Sequence, residues 1–305
     1  PYAPPVGQAG SSAMHKDSSA FVSWAEGCRV TRGYQDLSDT SLGLVTVGDS
    51  AMATGKALVN GIVSLGDGGS ATCTFKNTIK NGPGFDFAVF ENGFNDTFLE
   101  LAFVEVSSDG INFTRFASHS LSDTLSQFGN AAVMDATKLN NLAGKYKAAY
   151  GTPFDLQELS GSLNLDINAV SHVRVVDVVG SLMKAYATYD SYGNKINDPW
   201  PTGFPPGGFD LDAIGVIHEN SSVGAAENNQ NEALVIYPNP IRRSENFYIK
   251  SDLKIISFQM IDCLGKISIN CVGENKVETA SLYPGVYCLQ IITEKGTVIK
   301  KVIVN

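Results

Sequence analysis

Five acidic residues lie within or at the ends of apolar segments of the sequence: Asp86, Glu91, Asp177, Asp210 and Asp212. A carboxylate among apolar residues loses its hydration, which is costly unless the group is hydrogen-bonded, paired with a base or bound to a cation. Calcium takes about six to eight oxygen ligands, which carboxylates and nearby backbone carbonyls supply. We therefore predict a structural calcium site drawn from these residues. The alternative is that some of them cap turns, pair with Arg115 or Arg174, or face solvent.

A second set of chemically useful residues lies in the Pro- and Gly-rich segment 183–208, which carries five aromatic residues: Tyr186, Tyr189, Tyr192, Trp200 and Phe204. Aromatic faces stack on sugar rings or flat cofactors, and neighbouring Asp and Asn side chains supply hydrogen bonds. We predict that these rings bind a ligand. The alternative is that they fix the loop onto the rest of the protein. Asp190, Asn194 and Asp198 in this segment are a second calcium-loop candidate, but they lack the spacing of an EF-hand, so a plain turn is favoured.

The sequence contains no recognisable catalytic motif. It has no G-x-S-x-G, H-E-x-x-H or P-loop segment, and its four histidines are scattered. Glu91 and Glu105 would serve as the acid and base of a glycosidase only at a suitable carboxylate separation. We therefore name no catalytic residue and favour a binding protein over an enzyme.

The segments that carry the acids have the composition of β-strands. Residues 84–113 contain two runs rich in β-branched and aromatic residues, with Glu100 and Glu105 as further acids, and they predict a hairpin. In the strand predicted over 169–179, strict alternation places His172 and Arg174 on one face and Asp177 with the valines on the other.

The rest of the first two hundred residues also favours strands, apart from one short segment. Short apolar runs over 44–75, broken by Gly-Asp-Gly-Gly at 66–69, are typical of a sandwich or jelly roll. Asp67 in that turn is interpreted as a turn former rather than a cation ligand. Residues 18–27 have a serine N-cap, spaced apolar residues and a terminal glycine, which predict a helix of one or two turns.

Charge and composition exclude several classes of partner. The chain has 305 residues, 43% of them hydrophobic and 17% charged, and a net charge of −9. Residues 1–231 carry 13 Lys and Arg against 24 Asp and Glu, a balance of −11, whereas the remainder is at +2. This acidity argues against nucleic acid or an anionic membrane as a partner. No apolar run reaches the roughly eighteen residues of a membrane span.

Cysteine usage and the first residues of the chain carry weaker information. Of five cysteines, Cys28 and Cys73 would form a disulfide in an oxidising compartment, and buried free thiols are the alternative. The opening Pro1-Tyr2-Ala3-Pro4-Pro5 is typical of a mature or trimmed start.

Composition divides the chain into two domains. We predict an all-β chain with a jelly-roll ligand-binding domain over 1–219, including helical and loop insertions, and a polar linker over 220–231. Residues 232–305 contain about seven short alternating strands, the pattern of a small Ig-like sandwich.

The second domain resembles the C-terminal sorting domain of the type IX secretion system of Bacteroidota. The resemblance rests on four motifs: Y-P-N-P at 237–240, D-C-L-G-K at 262–266, L-Y-P-G-V-Y at 282–287 and K-V-I-V at 301–304. It implies export across the outer membrane, followed by surface attachment or release. It does not indicate what the first domain does.

The first domain resembles secreted bacterial surface proteins with a discoidin-like or galactose-binding-like jelly roll. The resemblance rests on four segments: F-A-V-F-E-N at 87–92, E-L-A-F-V-E-V-S-S-D-G at 100–110, A-G-K-Y at 143–146 and G-F-D-L-D-A-I at 208–214. Related jelly rolls bind carbohydrate or other ligands through loops and often hold a structural calcium ion. A shared fold does not by itself transfer a ligand.

These observations predict an extracellular or outer-membrane surface protein that captures a glycan or another small-molecule nutrient, such as a corrinoid, near an outer-membrane importer. The alternatives are a glycan-active hydrolase and an adhesin with a protein partner.

Overall fold

The computed structural model describes residues 1–130, 132–220, 234–251, 253–262, 265–273, 275–294 and 296–305. The chain divides into two compact units, residues 1–220 and the described residues from 234 onward. Strands in both units pair in antiparallel sheets, and the described ranges contain short 3-10 turns but no α-helix. The predicted all-β fold class is confirmed. The predicted linker lies outside the described residues, except for Asn220.

The first unit is built on thirteen described strands: β1 (Met14–His15), β2 (Ser23–Trp24), β3 (Gly27–Thr31), β4 (Val63–Ser64), β5 (Ser70–Ile79), β6 (Phe87–Glu91), β7 (Ala102–Ser107), β8 (Thr114–Arg115), β9 (His119–Ser120), β10 (Leu139–Asn140), β11 (Tyr150–Phe154), β12 (Val170–Asp177) and β13 (Asp210–Val216). One sheet has the order β1-β11-β6-β13-β2, with β4 also paired to β13. The other has the order β3-β5-β12-β7-β8, and β9 pairs with β10. Single 3-10 turns cover Thr40–Leu42, Ala136–Lys138 and Leu156–Leu159.

The two large sheets pack face to face around one hydrophobic core. Buried side chains of β5, β7 and β12 from one sheet and of β6 and β13 from the other form a single cluster. Burying each large apolar side chain contributes about 1.5–3 kcal/mol, so this interface is the main source of stability. In β12, Val173, Val175 and Asp177 point inward, whereas His172 and Arg174 are partly exposed. This alternation was predicted, and it is confirmed.

The predicted hairpin over 84–113 is wrong, although both of its strands exist. Strand β6 lies between β11 and β13, and β7 lies between β12 and β8 in the other sheet. Every residue of both strands is buried, and strands buried on both faces occupy central positions with a neighbour on each side. The connection over 92–101 therefore crosses from one sheet to the other instead of closing a tight turn.

The helix predicted over 18–27 is also wrong. Residues of this segment form β2 and the start of β3, and Trp24 is the register partner of Gly215 in β13. A helix of one or two turns has little stability of its own, so pairing with an existing sheet outweighs its local propensity. Ala25, between the two strands, is buried.

Cys28 and Cys73 face each other across the β3–β5 pair. They are register partners, and their sulfur atoms lie 3.1 Å apart. Both are present as free thiols, Cys73 buried and Cys28 half-buried. The sequence left a disulfide and free thiols as alternatives, and the structure adds that these two residues are neighbours.

The second unit has seven described strands, as many as predicted: β14 (Leu234–Tyr237), β15 (Asn246–Ser251), β16 (Ile255–Ile261), β17 (Ile267–Val272), β18 (Lys276–Glu278), β19 (Gly285–Thr293) and β20 (Gly296–Val304). They form one sheet of order β14-β15-β18 and another of order β17-β16-β19-β20. Both sheets contribute to one core, which includes Phe247, Phe258 and Leu289. Cys263 and Leu264 of the D-C-L-G-K motif lie outside the described residues. Within the described ranges, no helix combines the length and apolar character that a membrane crossing needs.

Phe154 gives a direct test of the sandwich core. Its ring is 1% exposed and packs on the rings of Phe87 and Phe116, at centroid distances of 5.4 and 5.0 Å. We expect Phe154→Ala to lower the free energy of unfolding by about 3–5 kcal/mol, because the cavity adds to the lost burial. Urea unfolding followed by tryptophan fluorescence measures this, since both tryptophans, Trp24 and Trp200, belong to the first unit.

The matched control is Phe94→Ala, because the Phe94 side chain is 82% exposed. That change should stay within about 0.5 kcal/mol of the parent protein. Equal urea midpoints for the two variants would contradict the assigned core.

Candidate functional site

Six carboxyl groups come together inside the first unit, near the ends of β6, β12 and β13. We call them the acid cluster: Asp67, Glu91, Glu100, Asp177, Asp198 and Asp210. Glu91 is in electrostatic range of Glu100 and Asp210, and Asp198 is in range of Asp67, Glu100 and Asp177. Five members are buried, and Glu100 is partly buried.

Burial raises the pKa of every member of the acid cluster. Loss of hydration is the largest cause in each case, and repulsion from the other carboxylates adds to it for Glu91, Glu100, Asp177 and Asp198. The pKa of Asp177 is raised to about 8 and that of Asp210 to about 6. At Asp210 the charge of Arg32 opposes the rise in pKa. The cluster therefore resists ionisation unless a cation compensates it.

Hydrogen bonds satisfy only part of this cluster. Asp177 accepts from the backbone N–H groups of Phe209 at 2.8 Å and Gly68 at 3.0 Å. Asp198 accepts from the Leu101 N–H through Oδ2, at 2.8 Å. The other oxygen of Asp198, and Oε2 of Glu91, are buried and have no hydrogen-bond partner among the described residues. Buried oxygens without partners are rare, and an ordered water or an ion is a common explanation for them.

The structure brings three of the five predicted metal ligands into the acid cluster, namely Glu91, Asp177 and Asp210. Asp86 lies just before β6, whereas Glu91 ends that strand. Its carboxylate is fully buried and accepts from the N–H groups of Gly82 and Leu156, each at 2.7 Å, and from His218 Nδ1 at 2.8 Å.

Asp212, the fifth predicted ligand, accepts from the Leu58 N–H at 3.0 and 3.1 Å, and burial raises its pKa to about 6. Asp86 and Asp212 therefore hold backbone elements in place. As the side chains are arranged in the described residues, no group of three or more His, Cys, Asp or Glu is set up to hold a metal ion. Calcium binding stays a prediction.

Sequence reasoning left three members of the acid cluster out of the metal set. The sequence could have indicated Glu100 as a buried acid, because it stands between two leucines just before β7. Asp67 carried a signal too, but its glycine-rich surroundings favoured a turn. Asp198 carried a weak signal as part of the loop over 190–198, whose spacing favoured a turn. Its position depends on the pairing of residue 198 with Gly180, whose carbonyl accepts from the Asp198 N–H.

The five predicted ligand-binding aromatic residues divide into two groups. Trp200 is 6% exposed, packs near Tyr186 at a centroid distance of 6.0 Å and donates its indole N–H to Asp67 at 3.1 Å. Tyr189, Tyr192 and Phe204 are exposed. The Tyr192 ring also lies against His119, with centroids 4.2 Å apart. A part of this loop is thus fixed onto the protein, and ligand binding by its exposed rings stays a prediction.

The Asp190 segment is a turn, as the sequence indicated. Asp190 Oδ1 accepts from the N–H groups of Tyr192 at 2.9 Å and Asn194 at 2.8 Å. Asp190 Oδ2 accepts from the Ser120 N–H at 2.9 Å. These bonds account for both carboxylate oxygens without a cation.

The outer face of the five-stranded sheet holds an open recess of about 550 Å³, which we call the outer recess. It is lined by Cys28, Arg29, Thr31, Ser70, Thr72, Thr74, Gly110, Phe113, His172 and Arg174. Nine of the ten carry a side chain. Those of β3, β5 and β12 come from outward positions, except Cys28, which alternates with Arg29 and packs against the core. The sequence placed His172 and Arg174 on one face but gave no signal for the other strands, since the recess depends on cross-strand register.

One row of register partners crosses the whole sheet beneath this recess. Arg29 is paired with Thr72, Thr72 with Arg174, Arg174 with Glu105, and Glu105 with Arg115. Partners directly opposite each other bring their side chains within reach. In this row, Arg29 and Arg174 lie on opposite sides of Thr72. Glu105 in turn lies between Arg174 and Arg115.

Glu105 fixes the two arginines beside it. Arg174 donates to its Oε2, and Arg115 donates to its Oε1 from Nε at 2.9 Å and from Nη2 at 2.7 Å. Arg174 also lies over the Phe113 ring at 3.8 Å, and Arg115 over Phe103 at 4.0 Å. Each guanidinium is thus held by a carboxylate on one edge and an aromatic face on the other side.

The alternative catalytic pair, Glu91 and Glu105, lies on two different sheets. Glu91 ends β6 in the acid cluster, whereas Glu105 in β7 is bound to two arginines on the outer face.

Glu105→Gln tests how far this carboxylate organises the outer face. An amide accepts from one arginine only and leaves like charges of Arg115 and Arg174 uncompensated, so we expect a loss of about 1–3 kcal/mol in the free energy of unfolding. Urea unfolding at low salt measures it, and added salt should shrink the difference by screening the two arginines. The exposed Glu26→Gln is the control. Equal stability of both variants would show that Glu105 does not hold the arginines.

Comparisons with known proteins give a family match for the second unit. Residues 235–305 match the family model described as the secretion system C-terminal sorting domain. Among curated proteins, none matches the chain. The sorting domain directs export to the cell surface or outer membrane, so the chain is a surface or secreted protein of the type IX system.

Two solved structures are similar in part. One is PorZ, a surface component of the type IX secretion system of Porphyromonas gingivalis, with 15% identity and a TM-score of 0.22. The match covers 31% of this chain and 14% of PorZ. The other is a biofilm-associated protein BSP domain, with 10% identity and a TM-score of 0.20, over 94% of this chain and 52% of the other. The chain thus spans about half or less of these proteins, and neither likeness indicates a ligand.

Proposed function

We propose that the first unit captures a glycan or another small-molecule nutrient at the cell surface, near an outer-membrane importer, and that it does so through the outer recess. The observation that carries this proposal is the recess itself. Its volume of about 550 Å³ lies within the usual range of small-molecule sites, about 300–1,000 Å³. The sorting domain delivers the chain to the compartment where such ligands are met.

The chemistry of the recess supports a polar ligand. Hydroxyl groups of Thr31, Ser70, Thr72 and Thr74 line it together with two arginines. Within the described ranges, none of these four hydroxyls hydrogen-bonds to another residue of the chain. They are available to the hydroxyls of a sugar, which donate and accept in the same way as water does. The exposed rings of Tyr189, Tyr192 and Phe204 remain the second candidate contact.

A ligand array tests the proposal. The purified chain would be screened against soluble glycans of known composition and against cyanocobalamin as the corrinoid. We expect binding to at least one member and its loss in Thr72→Trp, because the indole fills the floor of the recess. The melting temperature of Thr72→Trp shows that the variant is folded.

The control for this array is Tyr192→Ala, which alters the aromatic loop and leaves the recess intact. Retained binding in Thr72→Trp with loss in Tyr192→Ala would move recognition to the loop and overturn the assignment to the recess. Absence of binding to every member would overturn capture of these ligand classes.

We also propose that the acid cluster takes up a calcium ion. Support comes from its six carboxylates and from the two buried oxygens of Glu91 and Asp198 that have no hydrogen-bond partner among the described residues. Calcium prefers oxygen ligands and offsets the cost of buried negative charge. Because the carboxylates are not arranged around one point as they stand, binding has to draw them together.

Removal of metal tests this second proposal. A site that binds only the folded protein stabilises it by about 2.7 kcal/mol at a hundredfold excess over Kd, which corresponds to about 5–10 °C in Tm for a unit of this size. We expect that rise when calcium replaces EDTA, measured by the thermal unfolding of the first unit. An identical Tm in calcium and EDTA would contradict calcium binding.

Two isosteric variants decide which acids are involved. Asp198→Asn keeps the acceptor for the Leu101 N–H and removes a carboxyl group that is costly to ionise in this position. Its Tm in EDTA should therefore not fall, and its calcium-dependent rise in Tm should shrink. Asp86→Asn should lower the Tm in both calcium and EDTA, because Asp86 accepts hydrogen bonds from backbone groups that lie outside the acid cluster. The rise in Tm on adding calcium should be unchanged in this variant. The opposite pattern would return the site to Asp86.

A further inference from the structure

We propose that the outer recess selects acidic saccharides, with a carboxylate or sulfate group of the ligand bound between Arg29 and Arg174. This inference rests on the proposed capture function and names the class of ligand that the recess takes.

The register sets the distance between the two arginines. Arg29 in β3 and Arg174 in β12 are both partners of Thr72 in β5, so two strand spacings separate them. At about 4.8 Å per spacing, their Cα atoms lie roughly 10 Å apart across the sheet. Both side chains are long enough to reach a single anionic group above Thr72, and the Thr72 hydroxyl lies on the same face to donate a further hydrogen bond.

Arg174 is held ready for such a group. Its Nε and Nη2 face Glu105, and its guanidinium is stacked on Phe113. A guanidinium has five N–H donors, so one edge bound to Glu105 leaves donors on the other edge for a ligand. Because the side chain is already ordered, little rotamer entropy is lost when an anion binds.

Arg29 differs from Arg174, because its exposed side chain has no ion pair or hydrogen bond in the part of the chain that the structure describes. The surrounding unit carries 13 Lys and Arg against 23 Asp and Glu. An arginine that faces a binding recess and lacks a carboxylate partner in so acidic a unit is an unused anion-binding group. Paired arginines bind carboxylates and sulfates through charge-assisted hydrogen bonds, which are about twice as strong as neutral ones.

The local charge of the recess also favours an anion. Counting the row of register partners, three arginines stand against one carboxylate, Glu105. The unit as a whole has more acidic than basic residues, so its net charge gives an acidic polymer no general attraction. Binding to an acidic saccharide would therefore report a specific site rather than a general attraction between opposite charges.

The experiment compares two polymers with the same sugar backbone. Polygalacturonate carries one carboxylate per residue, and its methyl ester carries none. We expect the full chain to bind polygalacturonate at least tenfold more tightly than the ester by isothermal titration calorimetry, with an affinity that falls as salt is added. Unsulfated and sulfated chondroitin, measured in the same way, separate the carboxylate from the sulfate as the preferred group.

Three variants locate the site. Arg29→Gln and Arg174→Gln should each weaken binding of polygalacturonate about tenfold or more and leave any binding of the ester unchanged. Arg243→Gln removes the same charge from the second unit, where the side chain lies over Tyr283. This control should change neither the binding of polygalacturonate nor that of the ester. Far-ultraviolet circular dichroism and Tm confirm that the variants are folded.

The outcomes separate this inference from the proposed function. Equal binding of polygalacturonate and its ester, insensitive to Arg29→Gln, would overturn selection of acidic saccharides and leave capture by the recess standing. Binding only to neutral glycans would do the same. Equal weakening by Arg29→Gln and Arg243→Gln would show a general charge effect and overturn the assigned site. Binding to none of the charged polymers would overturn the inference, and the ligand array then decides the proposed function separately.

Discussion

Packing of two antiparallel sheets through one apolar face each is the constraint on which the first unit depends. Once one face of a strand is committed to the core, alternation commits the other face to the outside. Strand β12 shows the consequence most clearly. Its Val173 and Val175 enter the core and carry Asp177 inward with them, whereas His172 and Arg174 are forced onto the outer face. One strand therefore supplies both the acid cluster and the outer recess.

The two sites differ in how far their charges are compensated by neighbouring groups. On the outer face, Glu105 and its two arginines compensate one another, and water reaches the arginines. In the acid cluster, six carboxylates meet with little compensation, and burial shifts each of them toward the neutral form. Backbone N–H groups hold Asp177 and one oxygen of Asp198. Compensation of this cluster by a calcium ion is our proposal.

Much of the architecture could be predicted from the sequence, because it depends on local patterns. Alternation in residues 169–179 predicted which way Arg174 and Asp177 point, and spaced motifs predicted the sorting domain. Partner choice could not be predicted in the same way. The runs over 84–113 favoured a hairpin, yet each became a central strand of a different sheet and is buried on both faces. The recess and the membership of Asp198 in the acid cluster depend on register between strands distant in sequence, which composition does not record.

We propose that ligands are recognised on the outer face of the five-stranded sheet rather than in the aromatic loop. Mapping of backbone amide NMR shifts on titration with oligogalacturonate tests it most directly, because it locates contact without altering the protein. We expect the largest shifts at Arg29, Thr72 and Arg174 and at their register neighbours. Shifts confined to residues 186–204, with the outer face unchanged, would contradict it.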